Sequence, residues 1–297
     1  MKKILALILA VVMVFALAAC TTAPATEETT ADETAATDVA EASADGEQPA
    51  AIETLVPGKL TVATSPDFAP YEFFAIDENG NPQLAGFDIA LAQYIADYLG
   101  LELDVIQMDF DGVLNELANG SVDLGISGLS PDPKREDTMS FSNLYYESGQ
   151  CFVTVASKAD ALTDVDVAND PQYSIGAQNG SIQYDLAMQY TPEADVIALT
   201  KVTDIVGELL NDKLDGAFIE EPVAKSYAAN YPELVIVCNV PYEAEGAAVG
   251  VIKGNEALLN AVNEAVAAAK ADGSMDRFVA EANELAGGEI YEGIIEG

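Results

Sequence analysis

The sequence contains no histidine among its 297 residues and only two arginines, Arg135 and Arg277. The absence of histidine excludes Ser-His-Asp and Cys-His catalysis and every histidine-ligated metal site. Twelve Lys and Arg residues against 50 Asp and Glu residues give a formal net charge of −38. Phosphate binding needs a basic patch, so this composition argues against nucleic acid as a partner. The sequence has no Walker loop either, and it indicates no cofactor and no metal.

The first residues predict a secretory signal. The sequence "MKK", an apolar run from Ile4 to Leu17 and the ending "LAAC" have the order of a signal peptide over residues 1–19. The apolar run is short for a membrane span. The ending is typical of a lipobox, which makes Cys20 the lipid-bearing first residue of the mature chain; a signal-like anchor with an incidental cysteine is the alternative. We therefore expect an extracytoplasmic protein that is lipid-anchored to the bacterial cell membrane.

Residues 20–54 have the composition of a disordered, acidic linker. Between Thr21 and Glu53 the chain carries nine acidic residues, no Lys or Arg and no aromatic residue. Such a segment cannot bury a core, and its like charges repel one another. It predicts a tether between the membrane and a folded part.

Beyond the linker, short β-rich runs alternate with longer helical runs, as in "LTVAT", "GFDIALAQYIADYLG", "LELDVIQM", "FDGVLNELANG" and "VDLGIS". This rhythm predicts an α/β fold in which helices cover a parallel sheet. The rhythm begins again at "YSIGAQ", which indicates a second, similar lobe. The tail strand "GAAVGVI" and two tail helices follow a completed second sheet, so we expect them to return to the first lobe. Lobe 1 then comprises residues 55–148 and 242–297, and lobe 2 comprises residues 149–241.

This topology requires two chain crossings, near Ser148 to Phe152 and near Asn239 to Glu245, which form a hinge. Cys151 and Cys238 remain after signal removal. A disulfide and two free thiols are both compatible with the sequence, because pairing depends on geometry. The segment "DENGN" has its glycine at the fourth position instead of the sixth, so it favours a hairpin turn over a calcium loop.

In open α/β sheets, ligands bind at the carboxyl ends of the strands. One segment at such an end, "SGLSPDPKRE", offers Ser127, Gly128, the Ser130 hydroxyl and the scarce Arg135. A guanidinium with backbone amides and hydroxyls suits a carboxylate, because Arg binds carboxylates bidentately. The alternative is a surface Arg135 paired with Glu136 or Asp137.

Three further segments lie at predicted strand ends. In "QNGSI" the first helical amides, at Ser181 and Ile182, are placed to cap the same carboxylate, although an ordinary N-cap explains the same letters. In "DGAFIEEP", Glu220 is placed to receive an ammonium group, unless it belongs to an exposed acidic pair at a helix start. We expect Phe68 and Phe110 in loops after strands, where they contact a ligand side chain or join the core.

These segments together resemble the family 3 extracellular solute-binding proteins, the polar amino-acid-binding proteins of ABC importers. The resemblance covers residues 59–286 and rests on "ATSPDFAPYEF", "GFDIALAQYIADYLG", "MDFDGVLNELANGSVDLGISGLSPDPKRE", "FSNLYYESGQ" and "DGAFIEEPVA". It implies a type II periplasmic-binding-protein fold whose two lobes close on one amino acid and deliver it to a membrane permease. The family pattern also implies one ligand per monomer.

The resemblance implies a role for each site residue. Arg135 is similar to the carboxylate-binding arginine, supported by the Ser130 amide and the turn at Ser181 and Ile182. Glu220 takes the place of the ammonium-binding aspartate, assisted by the Gly128 carbonyl and the Ser130 hydroxyl. Phe68 and Phe110 resemble the aromatic pair that holds the ligand side chain.

Two departures from the pattern bear on ligand identity. Glu220 is one methylene longer than the usual Asp, and Ser65 stands where binders of basic amino acids carry an Asp. Both favour a neutral polar ligand, glutamine first, with an arginine or lysine binder as the alternative. A dehydratase on the same fold is a further alternative, for which Glu220 is the one evident acid–base group, but little acid–base machinery is visible and we expect no enzyme.

Overall fold

A computed structural model of the chain describes residues 52–243 and 246–288. They form two five-stranded sheets, each flanked by helices. In the first sheet β1 pairs in parallel with β4 and β5, and β12 pairs antiparallel with β5 and β6. Its strands, in spatial order, are β4 (Glu102–Gln107), β1 (Lys59–Thr64), β5 (Leu124–Gly125), β12 (Ala247–Ile252) and β6 (Met139–Tyr146).

The second sheet repeats this design. The neighbouring strands β10, β8 and β9 are parallel, and β7 lies antiparallel to both β10 and β11. Its strands, in spatial order, are β11 (Leu234–Val240), β7 (Gln150–Val155), β10 (Gly216–Glu220), β8 (Ser174–Gln178) and β9 (Asp195–Leu199).

Helices cover both sheets. The helix α1 carries a stripe of fully buried apolar residues that includes Leu91, Ile95 and Ala96. This spacing places the stripe on one face of the helix, towards the core. The first lobe contains α1 (Phe87–Leu99), α2 (Phe110–Ala118), α7 (Glu256–Ala271) and α8 (Ser274–Ala286); the second contains α3 (Val165–Ala168), α4 (Ile182–Tyr190), α5 (Val202–Leu210) and α6 (Glu221–Asn230). Among the described residues, no helix combines the length and the apolar character needed to cross a bilayer.

The predicted α/β class, the two lobes and the two crossings are confirmed. The chain passes from the first sheet to the second between β6 and β7, and returns between β11 and β12. We call residues 147–149 the first crossing. The tail helices return to the first lobe, since α7 and α8 pack against α1. The predicted signal, Cys20 and residues 20–51 of the linker lie outside the described residues.

Two local predictions have clear outcomes. The segment Asp77–Asn81 forms the turn of a hairpin between β2 (Phe73–Ile76) and β3 (Pro82–Ala85), in which Asp77 Oδ1 accepts hydrogen bonds from the Asn79 and Asn81 amides at 2.8 Å each. The prediction that Phe110 lies in a loop is wrong, because Phe110 is the first residue of α2, directly after the N-cap Asp109.

The two cysteines of the second sheet are free thiols. On the paired strands β7 and β11, Cys151 faces Asn239, whereas Cys238 faces Phe152. Successive side chains of a strand point to opposite faces, so the two thiols lie on opposite sides of the sheet. This geometry opposes a disulfide between them.

Candidate functional site

The predicted site residues lie at or after the carboxyl ends of β1, β4, β5, β8 and β10, where the two lobes face each other across a cleft. Several hydrogen bonds connect the lobes directly. The Tyr71 hydroxyl donates to Glu220 Oε1 at 2.9 Å, and Asn179 Nδ2 donates to Asp111 Oδ2 at 3.2 Å. The structure is therefore a closed arrangement of the two lobes.

Arg135 lies at one end of the cleft. Its backbone amide closes a turn onto the Asp132 carbonyl at 2.9 Å, and its guanidinium donates from Nη2 to the Gly180 carbonyl of lobe 2 at 3.0 Å. The guanidinium carbon lies 6.0 Å from the centroid of the Phe110 ring. Arg135 forms no ion pair with Glu136 or Asp137 in the described chain. Burial lowers the pKa of Arg135, although it remains a cation at neutral pH.

The turn after β5 brings Gly128 against Phe68. Gly128 has a φ of +56°, and a Cβ at this position would lie 2.8 Å from Phe68 Cε1. A side chain at residue 128 is thus excluded by both backbone conformation and space. Phe68 is 7% exposed and its ring centroid lies 5.3 Å from that of Tyr71. Ser130, 4% exposed, completes this wall of the cleft.

The helix α4 directs its N-terminus towards Arg135. Ser181 is its N-cap: the hydroxyl accepts a hydrogen bond from the Tyr184 amide at 3.2 Å and donates to the Gln178 carbonyl at 2.7 Å. Ile182 is the first helical residue and is buried. The positive end of the helix dipole therefore lies beside the guanidinium, which favours an anion between them.

Glu220 is the last residue of β10 and is 1% exposed, so it is not part of an exposed acidic pair. Its neighbour Glu221 is half-buried and pairs with Lys225 at 2.6 Å. Glu220 Oε1 accepts hydrogen bonds from Tyr71 of lobe 1 and from Ser148 of the first crossing. Burial raises the pKa of Glu220 to about 8, although these two hydrogen bonds act in the opposite direction. Its Oε2 is buried and has no hydrogen-bond partner among the described residues.

The part of the structure around Ser65 contains a carboxylate, although residue 65 itself is not an aspartate. Its hydroxyl donates to Oδ1 of Asp67, two residues further on, at 2.8 Å. Asp67 is 7% exposed, and burial raises its pKa to about 6, opposed by hydrogen bonds from Ser65 and Val202.

A buried carboxyl pair, Glu72 and Asp88, lies directly against the turn after β5. The Ser127 hydroxyl donates to Glu72 Oε1, and the Gly128 amide donates to Asp88 Oδ2 at 2.8 Å. The Tyr145 hydroxyl also donates to Asp88 Oδ2, at 2.8 Å. Glu72 Oε2 and Asp88 Oδ1 are buried and have no other hydrogen-bond partner among the described residues, but the two carboxyls form a side-chain hydrogen bond with each other.

The ionisation of this pair is strongly perturbed. Burial, followed by the charge of Asp88, raises the pKa of Glu72 well above its usual range. Burial raises the pKa of Asp88 to about 6, while hydrogen bonds from Gly128 and Tyr145 oppose the shift. Two adjacent buried carboxyls share one proton more readily than they ionise together, so Glu72 is the proton holder of the pair and Asp88 the member that ionises more easily.

Sequence analysis located Arg135, Glu220 and the turns but missed Asp67, Tyr71, Glu72, Asp88 and Ser148. One signal was available, since Glu72 interrupts the aromatic run "YEFF". A charged residue between core aromatics is seldom buried without a partner. Asp88 gave no such signal, because an acidic residue in the first turn of a helix is commonly explained by the helix dipole.

Two α/β lobes, joined by two crossings and carrying donors and acceptors on both walls of the cleft, define a two-lobed binding protein. Within the described ranges, no group of Cys, Asp and Glu side chains has the arrangement of a metal site. The cleft has a guanidinium and a helix N-terminus at one end and the Glu220 carboxyl elsewhere, while the Glu72 and Asp88 carboxyls lie buried against the Ser127–Gly128 turn.

Comparison with known proteins identifies the family. Residues 60–282 match the model of the bacterial extracellular solute-binding proteins, family 3. The arginine-binding extracellular protein ArtP of Bacillus subtilis is 30% identical over 225 residues, which cover 74% of this chain and 84% of ArtP. The chain belongs to the bacterial extracellular solute-binding proteins of family 3.

Solved structures agree with this assignment. AbpA of Streptococcus pneumoniae, an amino acid ABC transporter substrate-binding protein bound to L-arginine, matches with a TM-score of 0.74 and 33% identity, covering 78% of this chain and 97% of that chain. An ancestral arginine-binding protein bound to glutamine matches with a TM-score of 0.69 and 30% identity, covering 76% and 98% of the two chains. The type II periplasmic-binding-protein fold is thereby confirmed.

Proposed function

We propose that this protein captures one amino acid in the cleft between its lobes and delivers it to the membrane permease of an ABC importer. In this proposal lobe 1 comprises residues 55–148 and 242–297, lobe 2 comprises residues 149–241, and a lipid on Cys20 ties the monomer to the membrane. Family membership and the amino-acid-binding relatives support this function over a dehydratase.

The two ends of the cleft suit the two charged groups that every free amino acid carries. Arg135 and the α4 amides near Ser181 and Ile182 bind the α-carboxylate, because both favour an anion. Glu220 receives the α-ammonium through Oε2, the oxygen that has no partner among the described residues. Phe68 and Phe110 flank the ligand side chain.

We propose further that the ligand is a basic amino acid, arginine first. The Glu72–Asp88 pair is the observation that carries this choice, since it is buried at the Ser127–Gly128 turn and has no Lys or Arg in an ion pair among the described residues. A buried negative charge without a cationic partner is costly. A guanidinium or ammonium on the ligand side chain offsets that charge, whereas a glutamine side chain does not.

The glutamine preference depended on two departures from the family pattern, Glu220 in place of an aspartate and Ser65 in place of another. The argument from Ser65 loses weight, because the Glu72–Asp88 pair supplies a negative charge that residue 65 does not. Relatives that bind arginine or histidine support the same choice. Glutamine remains the second candidate, because the ancestral arginine-binding protein was also solved with glutamine.

A thermal-shift panel of the twenty amino acids on the purified protein tests the function. A ligand at 100 times its dissociation constant adds about 2.7 kcal/mol to the free energy of unfolding. We expect stabilisation by arginine, and a smaller effect of lysine and histidine. Stabilisation by neutral amino acids alone would retain the import function but refute the basic ligand, and no stabilisation by any of the twenty would refute both.

A further inference from the structure

Asp67 makes contacts across the cleft that ligand binding does not explain. It belongs to lobe 1, where it follows β1, and yet its Oδ2 accepts hydrogen bonds from two groups of lobe 2. These donors are the Val202 amide at 2.6 Å and Gln178 Nε2 at 3.1 Å. The Tyr227 hydroxyl, also of lobe 2, donates to the Asp67 carbonyl at 3.3 Å.

The first of these donors is the N-terminal amide of the helix α5. The first four amides of a helix have no partner within it, and an N-cap side chain normally satisfies one of them. The N-cap of α5 is Lys201, whose side chain forms no capping hydrogen bond. The Asp67 carboxylate of the opposite lobe thus accepts a hydrogen bond from the first amide of α5. Its negative charge also interacts favourably with the positive end of the helix dipole.

Each lobe holds its half of this contact in position by itself. In lobe 1 the Ser65 hydroxyl donates to Asp67 Oδ1 at 2.8 Å, and the Asp67 amide donates to the Ser65 carbonyl at 2.8 Å. In lobe 2 Gln178 Nε2 also donates to the Thr200 carbonyl, at 3.2 Å. Preorganised partners lose little conformational entropy when they meet, so the contact favours lobe closure.

We propose that Asp67 is a positioning residue for ligand capture: its carboxylate caps α5 across the cleft and thereby stabilises the closed arrangement of the lobes. This inference rests on the proposed function, in which the ligand is held between closed lobes. Both oxygens of Asp67 already accept hydrogen bonds from protein donors, so it acts through closure and not as a ligand contact. The apparent affinity of a binding protein falls with the fraction that can adopt the binding-competent state.

The chain offers a direct test, because proline at Val202 removes the one amide hydrogen that Asp67 binds. Proline is favoured at the first position of a helix, and the preceding Lys201 has the extended backbone that proline requires, with φ −124° and ψ 146°. The matched control V202A removes the same side chain but keeps the amide hydrogen. Thermal melts of each variant without ligand verify folding.

We expect D67A and V202P each to raise the dissociation constant for arginine about tenfold in calorimetry, with V202A within about threefold of the unmodified protein. The double variant D67A/V202P should bind arginine no more weakly than the single variant with the lower affinity, because both substitutions remove the same hydrogen bond between Asp67 and the Val202 amide. D67N should recover most of the affinity, since its carbonyl oxygen still accepts from the Val202 amide. Full additivity of the two effects, or unchanged affinity in D67A, would overturn the proposal.

X-ray scattering separates this inference from the proposed function. If the unmodified protein binds no amino acid, the proposed function fails, and closure is then measured on the proteins alone. D67A and V202P should have a larger radius of gyration than the unmodified protein and V202A. Equal radii of all four proteins in that case would overturn the role of Asp67.

Discussion

Glu220 illustrates how one side chain links ligand binding to ionisation. Its carboxyl is fully buried, held by Tyr71 of lobe 1 and Ser148 of the first crossing, and its pKa is raised to about 8. The protein without ligand therefore carries Glu220 mainly protonated at pH 7. To receive an ammonium group, Glu220 must lose that proton, so binding and deprotonation are coupled.

This coupling predicts pH-dependent affinity. Between about pH 6.5 and 8 the dissociation constant should decrease as the pH rises, because less free energy is needed to ionise Glu220, and it should level off above about pH 8. Asp67 and Asp88, with pKa values of about 6, are mostly ionised in this range. Calorimetry in buffers of different ionisation enthalpy should detect proton release. E220Q should bind the ligand weakly, and its dissociation constant should no longer depend on pH in this range. An unchanged pH dependence in E220Q would show that the proton released on binding comes from another group.

The second residue-scale prediction concerns Arg135. R135A should weaken arginine binding by about 2 kcal/mol, or roughly 30-fold, because a charge-assisted hydrogen bond to the ligand carboxylate is lost. Its melting temperature without ligand should change little. R277A is the matched control, since Arg277 is the other arginine and its ion pair in the described part of the chain is with the exposed Glu281, at 3.8 Å. Equal affinities of R135A and R277A would contradict the carboxylate site.

At the scale of elements, helix termini supply much of the cleft. The N-terminus of α4 lies beside Arg135, and that of α5 receives Asp67. Both helices follow parallel strands, whose carboxyl ends meet at one edge of the sheet. The backbone amides at these two helix N-termini therefore favour anions, whichever side chains lie nearby.

The cap of α4 can be tested on its own. S181A should cost about 1 kcal/mol of stability, because the Tyr184 amide loses its acceptor. It should also weaken ligand binding, since the first turn that faces the carboxylate is loosened. D164A is the control: Asp164 caps α3 through the Val167 amide at 2.9 Å, away from the predicted site residues. D164A should therefore reduce the melting temperature without a change in affinity, and a similar loss of affinity in both variants would refute a special role for α4.

The sequence predicted these elements because the information is local. Apolar runs, a stop at Gly100 and the polar segments after strands mark the βαβ units, and Arg135 and Glu220 follow directly from their places after strands. The contacts of Asp67 and Glu72 are not local, since their partners Val202 and Ser127 lie 135 and 55 residues further along the chain. Such pairs depend on how the lobes meet, which periodicity does not encode.

At the scale of the whole molecule, the region of the cleft contains buried carboxyls whose ionisation is unfavourable. Four carboxyls, those of Asp67, Glu72, Asp88 and Glu220, have raised pKa values, with burial as the largest cause for each. Sites that await a charged partner commonly reduce stability in this way. The formal net charge of −38 adds self-repulsion across the molecule.

This charge predicts an unusual dependence of stability on pH. Each of the four carboxyls binds its proton more tightly in the folded state than in the unfolded chain. The folded protein therefore holds more protons between about pH 5 and 8, and the free energy of unfolding falls as the pH rises through this range. Without ligand, the melting temperature should increase by about 5 °C on acidification from pH 8 to pH 5.5. A melting temperature that decreases over this interval would contradict the assigned ionisation.

The most direct test of the central claim compares arginine with citrulline by calorimetry at pH 7.5. Citrulline has nearly the same shape as arginine but carries a neutral group in place of the guanidinium. If the Glu72–Asp88 pair selects a cationic side chain, arginine should bind at least about 30-fold more tightly, which corresponds to about 2 kcal/mol. The E72Q/D88N variant should reduce this difference. Equal or tighter binding of citrulline would contradict the account of the cleft as a site for basic amino acids.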